Sequence, residues 1–325
     1  MELQTEKDGK TFSHKRLIAY GGILFVVFLW GLYPIFSSDL LSHYSGGAFT
    51  FVSSLISAVV LLPECIPKRR LLNRSYFKVA VPTGFFVALA NLLQKIGLQY
   101  TTPTKYAFLE NLSCVVVPIL LFLFIRKKPS ALTVAASVLC LAGCFVLSGV
   151  ASSGGAALGR GEILCALAGV MYGVNIAATG VYALRFHAVL YVTIQTWVNV
   201  AVSGLAALAL NAIKPDGVPI EPFVFSWNPK YLILIAVLVL SISTFGWIVR
   251  TEAQKYVNAS VVAVILPFSS VVTGIVAVCL GKDTFTYHLL IGGLFILLSS
   301  VLSTVADARV SHPAKKQLKE QLDDD

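Results

Sequence analysis

The sequence contains little charge for its length. Only 13% of its 325 residues are Asp, Glu, Lys or Arg, whereas 57% are hydrophobic and the mean hydropathy is +0.80. A soluble domain carries about 25% charged residues, so this composition excludes an ordinary soluble globular protein. Because a soluble fold has too little interior to bury so much apolar surface, we expect lipid to surround the chain.

Motifs that carry chemistry are also scarce. The six cysteines include no CxxC pair, the five histidines include no HExxH, and the sequence has no Walker motif. These absences argue against a zinc site and against ATP as the direct energy source. The net charge of +9 does not indicate nucleic acid, because the cations lie in short loops between apolar runs. We therefore expect no metal, no cofactor and no nucleic-acid partner.

Ten segments are apolar over about 20 residues, the length that crosses a bilayer as a helix. They are 17–38, 46–66, 77–99, 104–125, 130–150, 161–184, 188–211, 231–253, 258–280 and 285–306. Four of them contain prolines that are candidate hinges, Pro34, Pro82, Pro118 and Pro267. The proline-rich segment 212–230 is predicted to form an ordered external loop.

The distribution of Lys and Arg predicts the orientation of the chain. Most of the 25 cationic residues lie in alternate connections between the apolar segments, and loops rich in Lys and Arg stay in the cytoplasm. Both terminal tails, 1–16 and 307–325, are therefore expected on the cytoplasmic side, and the second is expected to be disordered. We expect a multi-pass protein of the plasma membrane, in a bacterial cell the inner membrane.

Two cations inside apolar segments indicate an internal repeat. Lys95 and Arg250 are 155 residues apart, and the same separation relates Gln99 to Gln254 and three successive segment boundaries. The repeat divides the chain into halves 17–150 and 161–306, joined by a linker at 151–160. Since each half has five spans, an odd number, the halves insert in opposite directions, which is typical of transporters.

The charged residues Lys95 and Glu110 are expected at a similar depth, on helices that a short hairpin joins. One interpretation is a structural ion pair that neutralises both charges. The other is that Glu110 takes up a proton or that substrate competes for Lys95, because ionisable groups in spans often mark transport routes. Position 265, which matches Glu110 in the repeat, is Ile, so the pair is not mirrored.

Arg250 also has two interpretations. It either extends to the cytoplasmic interface or lines the cavity and binds an anionic group. Polar residues spaced along three spans indicate a shared cavity. These stripes contain Asn91, Lys95 and Gln99, then Tyr172 and Asn175, then Gln195 and Asn199. Aromatic residues that could form its walls are Trp30, Tyr33, Trp197 and Trp247.

Several stretches resemble EamA-type carriers of the drug/metabolite transporter superfamily. VFLWGLYPIF at 27–36 resembles their first helix, and GLQYTTPTKYAFLENLSCVVVPILLFLFI at 97–125 resembles their third-to-fourth helix hairpin. Tyr172-Gly173 matches Trp30-Gly31 at the start of the second half, whereas Glu110-Asn111 departs from the small or hydroxyl residues usual in such carriers. The resemblance implies an all-α membrane protein of ten helices in two inverted five-helix repeats, usually a metabolite or amino-acid exporter.

The sequence thus predicts a secondary active transporter for small metabolites, with amino acids or similar amphipathic compounds as the leading class and export as the expected direction. A proton is the candidate coupling ion. One alternative is an organic-anion exchanger that uses Lys95 and Arg250, and an alternative of another class is a membrane-embedded enzyme. The sequence leaves both a monomer and a homodimer open.

Overall fold

The computed structural model describes residues 2–101, 106, 109–126, 128–147, 159–214, 220–281 and 285–323. Twelve helices run through this part of the chain. They are α1 (Glu2–Leu40), α2 (Gly46–Cys65), α3 (Arg74–Gln99), α4 (Ser113–Ile125), α5 (Ala131–Leu147), α6 (Arg160–Tyr182), α7 (Ala188–Ala212), α8 (Pro229–Leu238), α9 (Phe245–Ala253), α10 (Ala259–Ile265), α11 (Phe268–Cys279) and α12 (Tyr287–Asp323). A π-helix, Val239–Thr244, joins α8 to α9.

Ten apolar helical rods result, at the ten places where the sequence predicts spans. Eight are long and apolar enough to cross a membrane, and two are shorter, Ser113–Phe124 and Ala131–Leu147. The fourth rod is shorter than the predicted 104–125 because a turn at Asn111 and Leu112 precedes it. The helix α12 continues past the last predicted span to Asp323, into the tail for which the sequence predicts disorder; the Ala, Lys, Gln, Glu and Leu of this segment favour helix.

The two halves share local backbone features at the separation of 155 residues. Asn73 and Asn228 each cap a helix by accepting a hydrogen bond from the backbone N–H two residues later. Turns interrupt the helix at Asn111–Leu112 and at the matching Leu266–Pro267. Positive φ angles end α4 at Arg126 (52°) and α11 at Gly281 (68°). These matches are independent of residue identity, since only the first conserves the side chain.

Helix packing also relates the halves. The helix α2 packs along α7, and α5 packs along α12, so that matching helices meet across the molecule. The helix α1 packs on α11, while α6 packs on α4. At the contact between α1 and α11, Gly31 lies against Val272, where an added Cβ would approach the Val272 Cβ to 2.6 Å. Small residues allow helices in membranes to approach in this way.

The outer faces of the helices are apolar. Large hydrophobic side chains remain exposed along them, among them Phe124 (77%), Leu205 (70%) and Leu208 (67%). In a bilayer such side chains face lipid, so their exposure agrees with a membrane protein. Polar side chains such as Gln94, Lys95 and Arg250 are buried instead, and they line the central cavity described next.

Candidate functional site

A cavity with a volume of about 100 Å³ lies at the centre of the helices. It is bounded by residues of α1, α3, α6, α9 and α11 and by the turns before α4 and α11. Eight of the residues that the sequence predicts as candidates line it: Trp30, Tyr33, Asn91, Lys95, Glu110, Tyr172, Trp247 and Arg250. We refer to this space as the central cavity.

Lys95 is buried, with 5% of its surface exposed. Its Nζ donates a hydrogen bond to Gln94 Oε1 at 2.8 Å and lies 4.3 Å from the centre of the Tyr33 ring. Gln94 Nε2 in turn donates to Glu110 Oε1 at 2.9 Å. The ion pairs found among the described residues do not join Lys95 to Glu110. The predicted association is therefore indirect, with one amide held between the two charges.

The Gln94 amide has all of its bonding positions occupied. Its oxygen accepts from Lys95 and from Tyr172 Oη, the latter at 3.0 Å, and its nitrogen donates to Glu110 and to Tyr106 Oη. An amide offers two acceptor positions and two donor hydrogens. These four partners fix the amide orientation, with oxygen toward the cation and nitrogen toward the carboxylate.

Arg250 faces the same cavity and does not extend to the cytoplasmic interface. Only 1% of its surface is exposed. Its Nη2 donates to Asn175 Oδ1 at 2.7 Å, and its Cζ lies 4.2 Å from the centre of the Trp247 ring. Asn175 is fully buried and donates to the Thr83 carbonyl at 3.1 Å. Asn175 thus positions Arg250 and does not itself line the cavity.

A second, smaller cavity of about 60 Å³ adjoins the first. Tyr33, Asn91, Lys95 and Trp247 line both spaces. The remaining lining comes mainly from α2 and α7 and includes the predicted residues Gln195 and Asn199. We call it the hydroxyl cavity because serine and threonine side chains form much of its wall.

Two residues selected from the sequence lie away from both cavities. Gln99 is exposed at the end of α3 and donates one long hydrogen bond, 3.4 Å, to the Tyr44 carbonyl. Trp197 is 40% exposed on α7. The regular spacing of polar residues along α3 predicts that Gln99 continues the polar stripe of Asn91 and Lys95. Gln99 is the last residue of α3, however, and lies beyond the residues that line the cavity.

Sequence reasoning missed Gln94, Tyr106 and the pair formed by Asn111 and Ser270. Asn111 Nδ2 donates to Ser270 Oγ at 2.8 Å, which links the two helix interruptions across the central cavity. Ser270 is the fourth residue past the turn at Leu266. Their positions in apolar segments could have indicated these residues, because a glutamine beside a buried lysine and an asparagine in a span each need hydrogen-bond partners.

Polar contacts join the described part of the segment 212–230, predicted as an external loop, to the start of α2 and the residues before it. Glu221 accepts hydrogen bonds from the backbone N–H groups of Gly46 (2.7 Å) and Gly47 (3.2 Å) at the start of α2. Tyr44 Oη donates to the Ser226 carbonyl at 2.7 Å. Burial raises the pKa of the Glu221 carboxyl, and the two backbone N–H groups oppose that shift. Residues 215–219 lie outside the described part of the loop.

A carboxylate on the opposite side holds three helical elements together. Asp307 of α12 accepts hydrogen bonds from Arg16 and Tyr20 of α1 and from Asn258, the residue that precedes α10. Asp307 is 3% exposed, so the ion pair with Arg16 is largely removed from solvent. The predicted linker 151–160 is described only at Gly159 and Arg160.

Ten apolar helical rods that enclose a polar cavity, with cations facing into it, define a multi-pass membrane protein of the transporter class. The model of the EamA-like transporter family matches residues 17–149 and again 159–305. The chain therefore belongs to the EamA-like transporter family, as its resemblance to these carriers predicts.

Two further comparisons agree with this assignment. An uncharacterized transporter from Archaeoglobus fulgidus is 25% identical over 304 residues, which cover 91% of this chain and 89% of that protein. A solved crystal structure superposes with a TM-score of 0.69 at 17% identity, over 92% of this chain and 99% of that one. The second likeness concerns the fold alone.

Proposed function

We propose that this protein is a secondary active transporter that moves a small carboxylate-bearing metabolite through the central cavity by alternating access. Amino acids are the leading class and export is the proposed direction. The observation that carries the proposal is that Lys95 and Arg250, which match in the repeat, both face one cavity together with Glu110. Two cations and one carboxylate complement a zwitterion, which carries both signs of charge.

Backbone dipoles support the binding of an anionic group. The helices α4 and α11 both begin next to the central cavity, where Ser113 and Ser269 lie in its wall. A helix N-terminus carries roughly half a positive charge, and interrupted helices in transporters commonly direct such ends toward a substrate carboxylate. The aromatic rings of Trp30, Tyr172 and Trp247 supply apolar walls for the remainder of the solute.

The proposed mechanism depends on two inverted five-helix halves with both termini in the cytoplasm. Its support is the double match to the family model, the matching turns and positive φ angles, and the distribution of Lys and Arg. The substrate cavity then lies between the halves, where rocking of one half against the other exposes it to each side in turn.

Proton coupling is proposed to involve Glu110. Its carboxylate reaches Lys95 through the Gln94 amide, so protonation of Glu110 would change the charge that Lys95 and the substrate experience. The variant Glu110→Gln keeps the side-chain shape and removes the titration. We expect it to bind substrate but to lose flux driven by a pH gradient; proton-driven flux at the wild-type rate in this variant would contradict the coupling role.

The experiment is counterflow in proteoliposomes loaded with individual amino acids. We expect flux for the wild-type protein and at least a tenfold loss in Lys95→Gln and Arg250→Gln, because each removes a cation from the cavity. The control is Lys255→Gln, which removes a cation that pairs with Glu252 at 2.7 Å, outside both cavities. Equal flux in all four proteins would exclude a role for the two cavity cations. The same assay tests the enzyme alternative, since an enzyme would convert the solute.

A second candidate is exchange of organic anions. The specific observation that favours it is that two cations face the cavity while Glu110 touches neither of them directly. Counterflow of a dicarboxylate, with no flux of neutral amino acids, would establish this alternative in place of the first.

A further inference from the structure

The hydroxyl cavity lies where the two halves meet. Its walls come from Thr50, Ser53, Ser54 and Ser57 of α2 and from the positions 142 residues later on α7, which include Gln195, Thr196 and Asn199. The same separation of 142 residues relates Trp30-Gly31 of the first span to Tyr172-Gly173 of the sixth. It therefore applies to the first two spans of each half, whereas 155 residues separate the matching positions of the spans that follow. Each half thus contributes equivalent positions, and together they form one polar chamber between α2 and α7.

The hydroxyl hydrogens of this chamber are largely committed to the helices. Thr50 Oγ1 donates to the Gly46 carbonyl at 2.7 Å, Ser54 Oγ to the Thr50 carbonyl at 2.8 Å, and Thr196 Oγ1 to the Val192 carbonyl at 2.8 Å. A hydroxyl has one hydrogen but two lone pairs. Oxygen atoms are consequently what these side chains can offer to a ligand.

Two further oxygens lack partners. Ser53 Oγ and Asn199 Oδ1 are buried and have no hydrogen-bond partner among the described residues, and both residues line the chamber. A buried polar atom without a partner destabilises the folded protein, and a ligand that donates a hydrogen bond to it would remove that penalty. The chamber thus offers a ligand Asn199 Oδ1, which can only accept, and Ser53 Oγ, which can accept or donate.

Charge narrows the ligand class further. Lys95 is the charged residue in the chamber wall, which it shares with the central cavity. An ammonium group in the chamber would be repelled by Lys95, whereas a neutral amide or hydroxyl would not. A carboxylate in the chamber would be attracted by Lys95, but it would also meet the lone pairs of the hydroxyl groups and of Asn199 Oδ1.

We propose that the hydroxyl cavity is a second subsite that binds a neutral hydrogen-bond donor, an amide or a hydroxyl, on the side chain of a substrate whose carboxylate occupies the central cavity. This inference rests on the proposed transport of amino acids, and it assigns the preferred solutes to those with polar uncharged side chains. Lys95 lies at the junction, so the substrate spans both spaces past this residue.

The test is direct binding to the purified full chain in detergent, by calorimetry, with amino acids of matched shape. L-Asparagine and L-leucine differ in whether the branched side-chain end is an amide or two methyl groups, and L-aspartate replaces the amide with a carboxylate. We expect asparagine to bind about tenfold more tightly than leucine, as one or two hydrogen bonds would give, and more tightly than aspartate.

Matched variants locate the effect. Thr196→Val removes a hydroxyl from the chamber wall, and Thr193→Val is its control, because Thr193 lies on the same helix, makes the same 2.8 Å bond to the carbonyl four residues earlier and does not line the chamber. We expect the preference for asparagine over leucine to fall about fivefold in Thr196→Val and to persist in Thr193→Val. Ser53→Ala gives a second reading if Thr196→Val does not fold.

The outcomes separate the subsite from the proposed function. Equal affinity for asparagine and leucine, tighter binding of aspartate, or an unchanged preference in both Thr196→Val and Ser53→Ala would overturn the subsite and leave amino-acid transport standing. Failure of all three amino acids to bind the wild-type protein would overturn the amino-acid class and the subsite with it.

Discussion

Replacing Gln94 with Met should remove the amide that connects Lys95 to Glu110 in the central cavity. Methionine keeps the approximate length of the side chain but removes four hydrogen bonds, to Lys95, Tyr172, Tyr106 and Glu110. Hydrogen bonds between membrane helices average about 0.6 kcal/mol, so four neutral bonds would total about 2.4 kcal/mol. The two bonds to charged groups are worth about 1.5–3 kcal/mol each, and with about 1.2 kcal/mol for the two neutral bonds we expect a loss of about 4–7 kcal/mol.

The assay is reversible unfolding of the purified protein in mixed micelles, with Gln99→Met as the control on the same helix. Gln99 is exposed and makes one 3.4 Å bond, so its replacement should change the free energy of unfolding by less than about 0.5 kcal/mol. The dependence of flux on pH should also change in Gln94→Met, because Glu110 and Lys95 lose their shared partner. If Gln94→Met and Gln99→Met unfold alike and transport alike, the amide does not connect the two charges.

Two other carboxylates give predictions of their own. Asp307→Asn should lower the free energy of unfolding by about 3 kcal/mol, since it leaves the Arg16 cation without its buried partner; a loss below about 1 kcal/mol in the same micelle assay would show the pair to be solvated. Glu221→Gln should remove a dependence of stability on pH. The pKa of Glu221 in the folded protein is raised above its ordinary value of 4.5. The stability of the wild-type protein therefore falls as the pH rises from the ordinary pKa to the raised pKa. We expect the melting temperature of the wild-type protein to fall relative to that of Glu221→Gln between pH 4 and pH 8. A constant difference would contradict a buried Glu221 carboxyl.

Hydropathy was sufficient to predict the positions of the ten helical rods. Apolar runs of about 20 residues have few alternatives in lipid, because every backbone group must bond within the segment. The interruptions at Asn111–Leu112 and Leu266–Pro267 were not predicted, since each lies inside a continuous apolar run. Pro267 was recognised as a hinge, but Asn111 carries no comparable backbone signal.

The candidate site was predictable in its charged residues and less so in its partners. Lys95, Glu110 and Arg250 stand out because charge in a span is costly, and all three line the central cavity. Which groups bond them was not predictable, since Gln94 of α3 bonds Glu110 in the segment before α4, and Asn175 of α6 bonds Arg250 of α9. The spacing of residues along one helix shows which side chains share a face, but it does not show which neighbouring helix packs against that face.

The π-helix Val239–Thr244 makes the eighth rod sensitive to its length. Its wider turn lies between the cap at Asn228 and the cavity residue Arg250, and Trp30 Nε1 of the first half donates to the Ile242 carbonyl within it at 3.2 Å. Each residue of an α-helix advances the side-chain direction by about 100°, so a one-residue change of length that the wider turn did not absorb would turn Arg250 away from Asn175. Among homologous chains, lengths of this segment should therefore vary less than its residues do, and a gap there would accompany a different partner for the cation.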